Sequence, residues 1–158
     1  MKIRKAKRND RLPLLRLVRI TDVFNKEERA VAKELVDLAL EKSVANSDYK
    51  LLVAVDPGGG LTGYICFGPT PMTSGTWDIY WVIVRPDRRQ KGAAKALLLA
   101  AEEAVRSKKG RRVIVDTSSQ ASYGPARMLY EGRGYRAVGT VPDYYRKGWH
   151  RITYYKKL

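Results

Sequence analysis

One cysteine and one histidine are all that this chain of 158 residues holds of those two metal ligands. Cys66 has no partner thiol, so a disulfide framework is excluded, and so is a zinc site built on paired cysteines and histidines. It also has no histidine near it in sequence, which argues against a covalent thiol nucleophile. Long apolar runs are missing: none approaches the roughly 18 residues of a membrane helix. Residues 1–8 alternate basic and small apolar types and lack the apolar stretch of a secretory signal. Acidic residues are few, with 16 Asp plus Glu against 31 Lys plus Arg.

What is present fits one soluble domain over residues 1–158, expected in the cytoplasm: 44% hydrophobic and 30% charged residues. The formal net charge of +15 implies a field that attracts polyanions or acidic substrates. The charge is densest over residues 2–19, 85–112 and 146–157.

Periodicity predicts a strand over 1–7, a helix over 12–19 capped by Asn9 or Asp10, and a second helix opened by Asn25 and Glu28 as a capping box. The second helix should bury Val31, Leu35, Leu38 and Ala39. Strands over 51–55 and 61–67 flank Pro57-Gly58-Gly59-Gly60 and read as a hairpin. A loop rich in Pro, Ser and Thr then leads to a strand over 77–84. The clearest helix spans 92–107, with Ala94, Leu97, Leu98, Ala101 and Val105 on one face and Glu102 and Glu103 on its solvated side. A strand over 112–117, a short helix over 125–131 and strands over 135–141 and 151–156 follow, the last two joined by a loop over 142–150. The order is that of a mixed α/β domain on one central sheet.

The chemistry concentrates in Val82-Ile83-Val84-Arg85-Pro86-Asp87-Arg88-Arg89-Gln90-Lys91-Gly92-Ala93-Ala94-Lys95. A strand ends at Val84, Pro86 breaks it, and a basic loop enters a helix directly. Free N–H groups at a helix start, reinforced by the macrodipole, form an anion site. Gly92 removes a side chain where a phosphate would approach, and four cations surround it. A diphosphate suits this geometry. Neither a Walker loop nor a G-x-G-x-x-G turn is present.

Residues 84–99 resemble the pyrophosphate-binding motif of the GNAT acetyltransferases, Arg/Gln-x-x-Gly-x-Gly/Ala, filled here by Arg89, Gly92 and Ala94. Downstream, Ala126, Tyr130, Gly134 and Tyr135 are similar to the superfamily's second motif, Ala-x-x-x-Tyr-x-x-x-Gly-Phe/Tyr. The likeness covers residue 77 to the C-terminus by motif and the first half by element order. It implies a central, mostly antiparallel sheet flanked by helices, and acetyl-coenzyme A as co-substrate with no metal. It further implies that backbone groups of Val82, Ile83 and Val84 hold the acetyl and pantetheine portion. The stretch Arg89, Gln90, Lys91, Gly92, Ala93, Ala94 and Lys95 would hold the pyrophosphate. Tyr130 would protonate the departing thiolate. Superfamily members often carry Asn where Tyr123 stands; Tyr123 is expected as a coenzyme contact, with Ser122 or Gln120 as alternatives for the missing polar contact.

An attacking amine must lose a proton, and Asp78 is the nearest carboxylate for that task, with Tyr80 as alternative. The N–H of Val82 would meet the oxyanion. Asp143, Tyr144, Tyr145 and His150 would border the acceptor. The expected partners are acetyl-coenzyme A, an amine acceptor (small molecule or protein amino group), a polyanion, and a second copy in a homodimer. The competing reading is a non-catalytic module of the same fold that binds nucleic acid or ribosome through its basic surface.

Overall fold

The computed structural model describes residues 1–41, 48–89 and 92–158. Its strands are β1 (Lys2–Lys5), β2 (Lys50–Val55), β3 (Leu61–Pro69), β4 (Thr76–Val84), β5 (Arg112–Ser118), β6 (Arg136–Arg146) and β7 (Trp149–Lys157). Its helices are α1 (Arg11–Ile20), α2 (Lys26–Leu40), α3 (Ala93–Ser107) and α4 (Gly124–Glu131). The strands form one seven-stranded sheet in the order β1-β2-β3-β4-β5-β7-β6. Every neighbouring pair is antiparallel except β4 with β5. The mixed sheet expected from the resemblance is therefore present.

Alternation along the strands sorts the core into two layers. On β2 and β3, Leu52, Ala54, Ile65 and Phe67 join the layer under α3 and α4, whereas Leu51, Val53, Tyr64 and Cys66 join the layer under α1 and α2. The α3 stripe that fills the first layer is Ala93, Leu97, Leu98, Ala101 and Val105, with Ala94 only half-buried. On α2 the buried stripe is Ala32, Leu35 and Val36, while Val31, expected inside, is largely exposed. The Asn25–Glu28 capping box opens α2 as expected, with both reciprocal bonds at 2.8 Å. At the other end of the fold Arg4 grips Asp10 through two bonds of 2.6 and 2.9 Å, tying β1 to the start of α1.

Two sequence expectations need correction. Glu102 is not on a solvated face: it is 1% exposed and receives Lys156 Nζ at 2.7 and 2.8 Å, tying α3 to β7. A carboxylate tolerates that burial because a cation and hydrogen bonds meet it there. Glu103, by contrast, is solvated as expected. The stretch 142–150 is mostly strand, closed by the two residues Lys147 and Gly148. Pro142 does not break β6, because β6 is the sheet's edge and its outer N–H groups need no partner.

Candidate active site

The β4–β5 ladder runs from Thr76 to Ile79 and stops. Beyond it, residues 80–84 keep β3 as a neighbour but have no strand on the β5 side, so the sheet opens as a wedge. A bulge sits at the point of divergence: Cys66 pairs with Trp81 and Phe67 with Ile79, leaving Tyr80 extra. The extra residue inverts the phase of the strand. Trp77 and Ile79 face α3 before it, Val82 and Val84 face α3 after it, and Ile83 turns to the other layer. Val82, Ile83 and Val84 thus lie on a strand edge whose outward backbone groups are open to a ligand.

At the end of β4, Pro86–Arg88 form one tight turn and Gly92 stands before α3 with φ +79°. No side chain caps the helix, so N–H groups of its first turn, carried by Ala93, Ala94 and Lys95, are left for an anion. A Cβ on Gly92 would meet nothing within 4 Å. Glycine is therefore required there by the left-handed backbone and by open approach, not by packing. A recess of about 150 Å³ lined by Asp56, Thr62, Arg88 and Ala93, among others, opens beside this turn. The Nε of Arg88 is buried without a hydrogen-bond partner. Arg89 is engaged: its guanidinium grips Asp22, in the α1–α2 connection, through Nη1 at 3.0 Å and Nη2. That contact lowers the Asp22 carboxyl below its usual range and raises the guanidinium. Gln90 and Lys91 lie outside the described residues. The open edge, the uncapped helix and the cations Arg88, Arg89 and Lys95 together fit a pantetheine arm ending in a pyrophosphate.

Tyr130 projects from α4 into the α3 layer and is 4% exposed. Its ring packs between Tyr135 and Tyr154, with centroids at 5.7 and 5.9 Å. The three hydroxyls differ in their engagements. That of Tyr154 donates to Glu131 Oε1 at 2.6 Å. That of Tyr135 lies beside the Glu102 carboxylate without closing a hydrogen bond of normal length. For Tyr130, no hydrogen-bond partner exists among the described residues, and burial pushes its phenol well above the ordinary range. Arg127 holds α4 against the end of β5 by donating to the carbonyls of Ser118 and Gln120 at 2.6 and 2.8 Å.

Asp78 sits on β4 one residue before the ladder with β5 ends. Its carboxylate accepts the Thr70 hydroxyl at 2.6 Å. Burial and the field of Asp78 push Tyr80 up to about 12, which keeps its phenol protonated near neutral pH. Cys66 is buried, and burial pushes its thiol up, which leaves it inert as a nucleophile. No cluster of three or more metal-ligating side chains exists among the described residues.

Tyr123 is placed between β5 and α4, but its hydroxyl turns to α2, donating its one proton to Glu28 Oε1 at 3.0 Å, with the Val23 carbonyl as a second, longer acceptor at 3.3 Å. Tyr145, from β6, shares this corner: burial raises its phenol, and the carboxylates of Asp116 and Glu28 add to the rise. Arg151 stacks over Tyr144 at 4.5 Å. His150 is used structurally, its Nδ1 accepting from the Asp143 backbone N–H at 2.9 Å and its own N–H donating to Ser119 at 2.9 Å. Glu28 and Asp116 were not singled out in the sequence, where one reads as a helix cap and the other as an ordinary strand residue. No local signal marks either, since Glu28 meets Tyr123 across 95 positions.

The model of the acetyltransferase (GNAT) family matches residues 17–135. Among solved structures, a GNAT-family acetyltransferase from Desulfovibrio desulfuricans superposes with a TM-score of 0.91 at 36% identity, over 99% of this chain and 98% of that one. An aminoglycoside 6′-N-acetyltransferase in complex with coenzyme A gives 0.78 at 20% identity, over 99% and 97%. A ribosomal-protein-alanine N-acetyltransferase from Brucella melitensis gives 0.77 at 21%, over the whole of both chains. No curated protein sequence matches. The wedge between β4 and β5, the open start of α3 and the family match across three quarters of the chain lead to one statement: this chain belongs to the GNAT family of acetyltransferases.

Proposed function

We propose that the chain moves an acetyl group from acetyl-coenzyme A to a primary amine by direct attack within a ternary complex. The observation that carries this reading is Tyr130, whose ring is buried and whose hydroxyl no described side chain engages. Amides and cations from Arg89 to Lys95, with Gln90 and Lys91 among them, hold the pyrophosphate. The open edge of Val82, Ile83 and Val84 holds the pantetheine arm and aims the thioester along the wedge.

The amine nitrogen attacks the thioester carbonyl, forming the C–N bond, while a β4 N–H, that of Val82, meets the oxyanion. The C–S bond then breaks, and the sulfur takes the proton of Tyr130. Asp78 receives the proton that the amine gives up, directly or through water. Tyr130 suits the donor role because burial keeps its phenol protonated.

Glu28, Asp116 and Tyr145 share one corner, and its two carboxylates, of which Asp116 already meets Arg151 at 3.8 Å and the Thr153 hydroxyl, suit a cationic amine that displaces Arg151. In this reading Tyr123 forms part of the acceptor wall, since its hydroxyl is committed to Glu28. The aminoglycoside and ribosomal-protein enzymes that share the fold are both named for transfer to amines.

Calorimetric titration with acetyl-coenzyme A, followed by thiol release against simple amines, aminoglycosides and peptides, tests the reading. Sub-millimolar binding with thiol release on at least one amine is expected. No binding at that concentration overturns it. Binding without release on any amine favours the non-catalytic module instead.

A further inference from the structure

The excess of positive charge is not spread evenly. Lys108, Lys109 and Arg111 follow α3 directly and are exposed. Arg112, at the start of β5, pairs in register with Lys157 of β7. The Leu158 N–H donates to the Arg111 carbonyl at 2.9 Å, which brings these segments together at one end of the sheet, with Lys108 and Lys109 on the α3 side and Arg112 and Lys157 on the other, since their neighbours Val113 and Lys156 face α3. None of the five cations is paired with a carboxylate among the described residues, whereas Arg106 and Lys156 beside them are occupied by Glu102. Apart from Glu103, one turn back on α3, no acidic side chain from these segments competes for them.

Lys109 adds an independent observation. Its φ is +58°, the left-handed region that glycine favours at the end of a helix. A lysine held there costs stability that a glycine would not. The helix dipole favours a cation near this end, but it does not require one at the strained position.

We propose that this surface binds the phosphate backbone of a nucleic acid. An acidic protein partner would need apolar or aromatic anchors at the centre of its interface; an anionic membrane surface, which cations alone meet at only about 1 kcal/mol each, is the competing occupant, and tighter binding to anionic-lipid vesicles than to either polymer would overturn the proposal. None of the large exposed apolar residues belongs to residues 106–112 or 156–157. A phosphate backbone needs only cations, and the +15 net charge steers it in. The surface lies at the far end of α3 from Gly92, about 22 Å along a 15-residue helix, so a bound strand leaves the coenzyme site open.

Fluorescence anisotropy with a labelled single-stranded RNA and a DNA of the same sequence, from 50 to 200 mM salt, tests this. The variant K108Q/K109Q/R111Q is compared with K2Q/K5Q/R16Q, which removes as much charge from β1 and α1. Patch neutralisation should weaken binding about tenfold or more and flatten the logarithmic salt slope by about 2, whereas the control should weaken it less than threefold. Acetyl-coenzyme A titration should be unchanged in both, which shows that they fold. If the first variant fails that check, K108Q/K109Q repeats the test on two exposed side chains, with a slope change of about 1.4. Equal weakening by patch and control variants overturns the proposal, as does absence of wild-type binding to either polymer at 50 mM salt. Equal affinity for RNA and DNA assigns recognition to the phosphates alone, and preference for RNA adds the 2′-hydroxyl; both sustain it.

Discussion

Replacing Tyr130 by Phe isolates one hydroxyl from everything else that the residue does. The ring would keep its packing against Tyr135 and Tyr154, and no described group loses a hydrogen bond. Stability should therefore change by less than about 0.5 kcal/mol, which for a domain of this size is a melting shift of about 1–2 °C. Turnover should change far more. A positioned general acid contributes about 10²–10⁴-fold, equivalent to about 3–5 kcal/mol at 1.36 kcal/mol per decade. The lost term belongs to departure of the thiolate, so acetyl-coenzyme A affinity should stay within twofold. Steady-state thiol release at saturating amine gives the rate, and calorimetry gives the affinity. The pH profile adds a sign test. Burial raises the Tyr130 phenol, so the wild type keeps its proton donor across neutral pH and loses it only above the ordinary phenol range, while the Phe variant has no limb from this group. Tyr154→Phe is the control, because its hydroxyl donates to Glu131 at 2.6 Å: it should cost about 1 kcal/mol of stability or more and leave turnover alone. A Tyr130→Phe enzyme within threefold of wild-type turnover would refute the assignment, as would affinity falling in step with rate.

Gly92→Ala places a methyl group in open space at a left-handed backbone position; it should cost about 1–2 kcal/mol of stability and raise the KM for acetyl-coenzyme A more than its effect on kcat, an equal effect on both counting against the cradle. Asp22→Asn frees Arg89 from a half-exposed ion pair worth about 0.2–1 kcal/mol, so acetyl-coenzyme A should bind about 1.4- to 5-fold more tightly by calorimetry; weaker binding would mean that Asp22 positions Arg89 instead of competing for it. Lys156→Met leaves Glu102 buried with only Arg106 at 3.8 Å and should cost about 3 kcal/mol or more in urea unfolding. Adding Glu102→Leu should recover most of that loss, and strictly additive single effects would contradict the pairing.

Much of the fold is written in short-range chemistry. The Asn25–Glu28 box, the Gly58–Gly60 turn, the α3 stripe and the break at Pro86 each depend on residues within a few positions of one another, so periodicity and capping suffice to place them. The boundaries of β6 were harder, because Pro142 stops a strand in a sheet's middle but not at its edge, and edge position is decided by β7 and β5. Val31 and Glu102 were misplaced for a related reason. A helix pattern states which residues share a face, but the width and centre of the buried stripe depend on what packs there, and Lys156 lies 54 positions beyond the glutamate that it neutralises.

The candidate active site divides along the same line. Sequence alone placed the basic glycine loop before α3, because an anion site at a helix start needs only contiguous residues, and it spaced Tyr130 one strand downstream. Tertiary structure decided the rest. The bulge at Tyr80 and the divergence past Ile79 exist only because β3 and β5 demand different courses of β4. The pairing of Arg89 with Asp22 across 67 positions, and of Tyr123 with Glu28 across 95, follows from α1 and α2 folding back over the sheet. Local spacing encodes caps, turns and faces; contacts between distant segments exist only once chain closure brings them together, and that closure alone left Tyr130 buried without a partner.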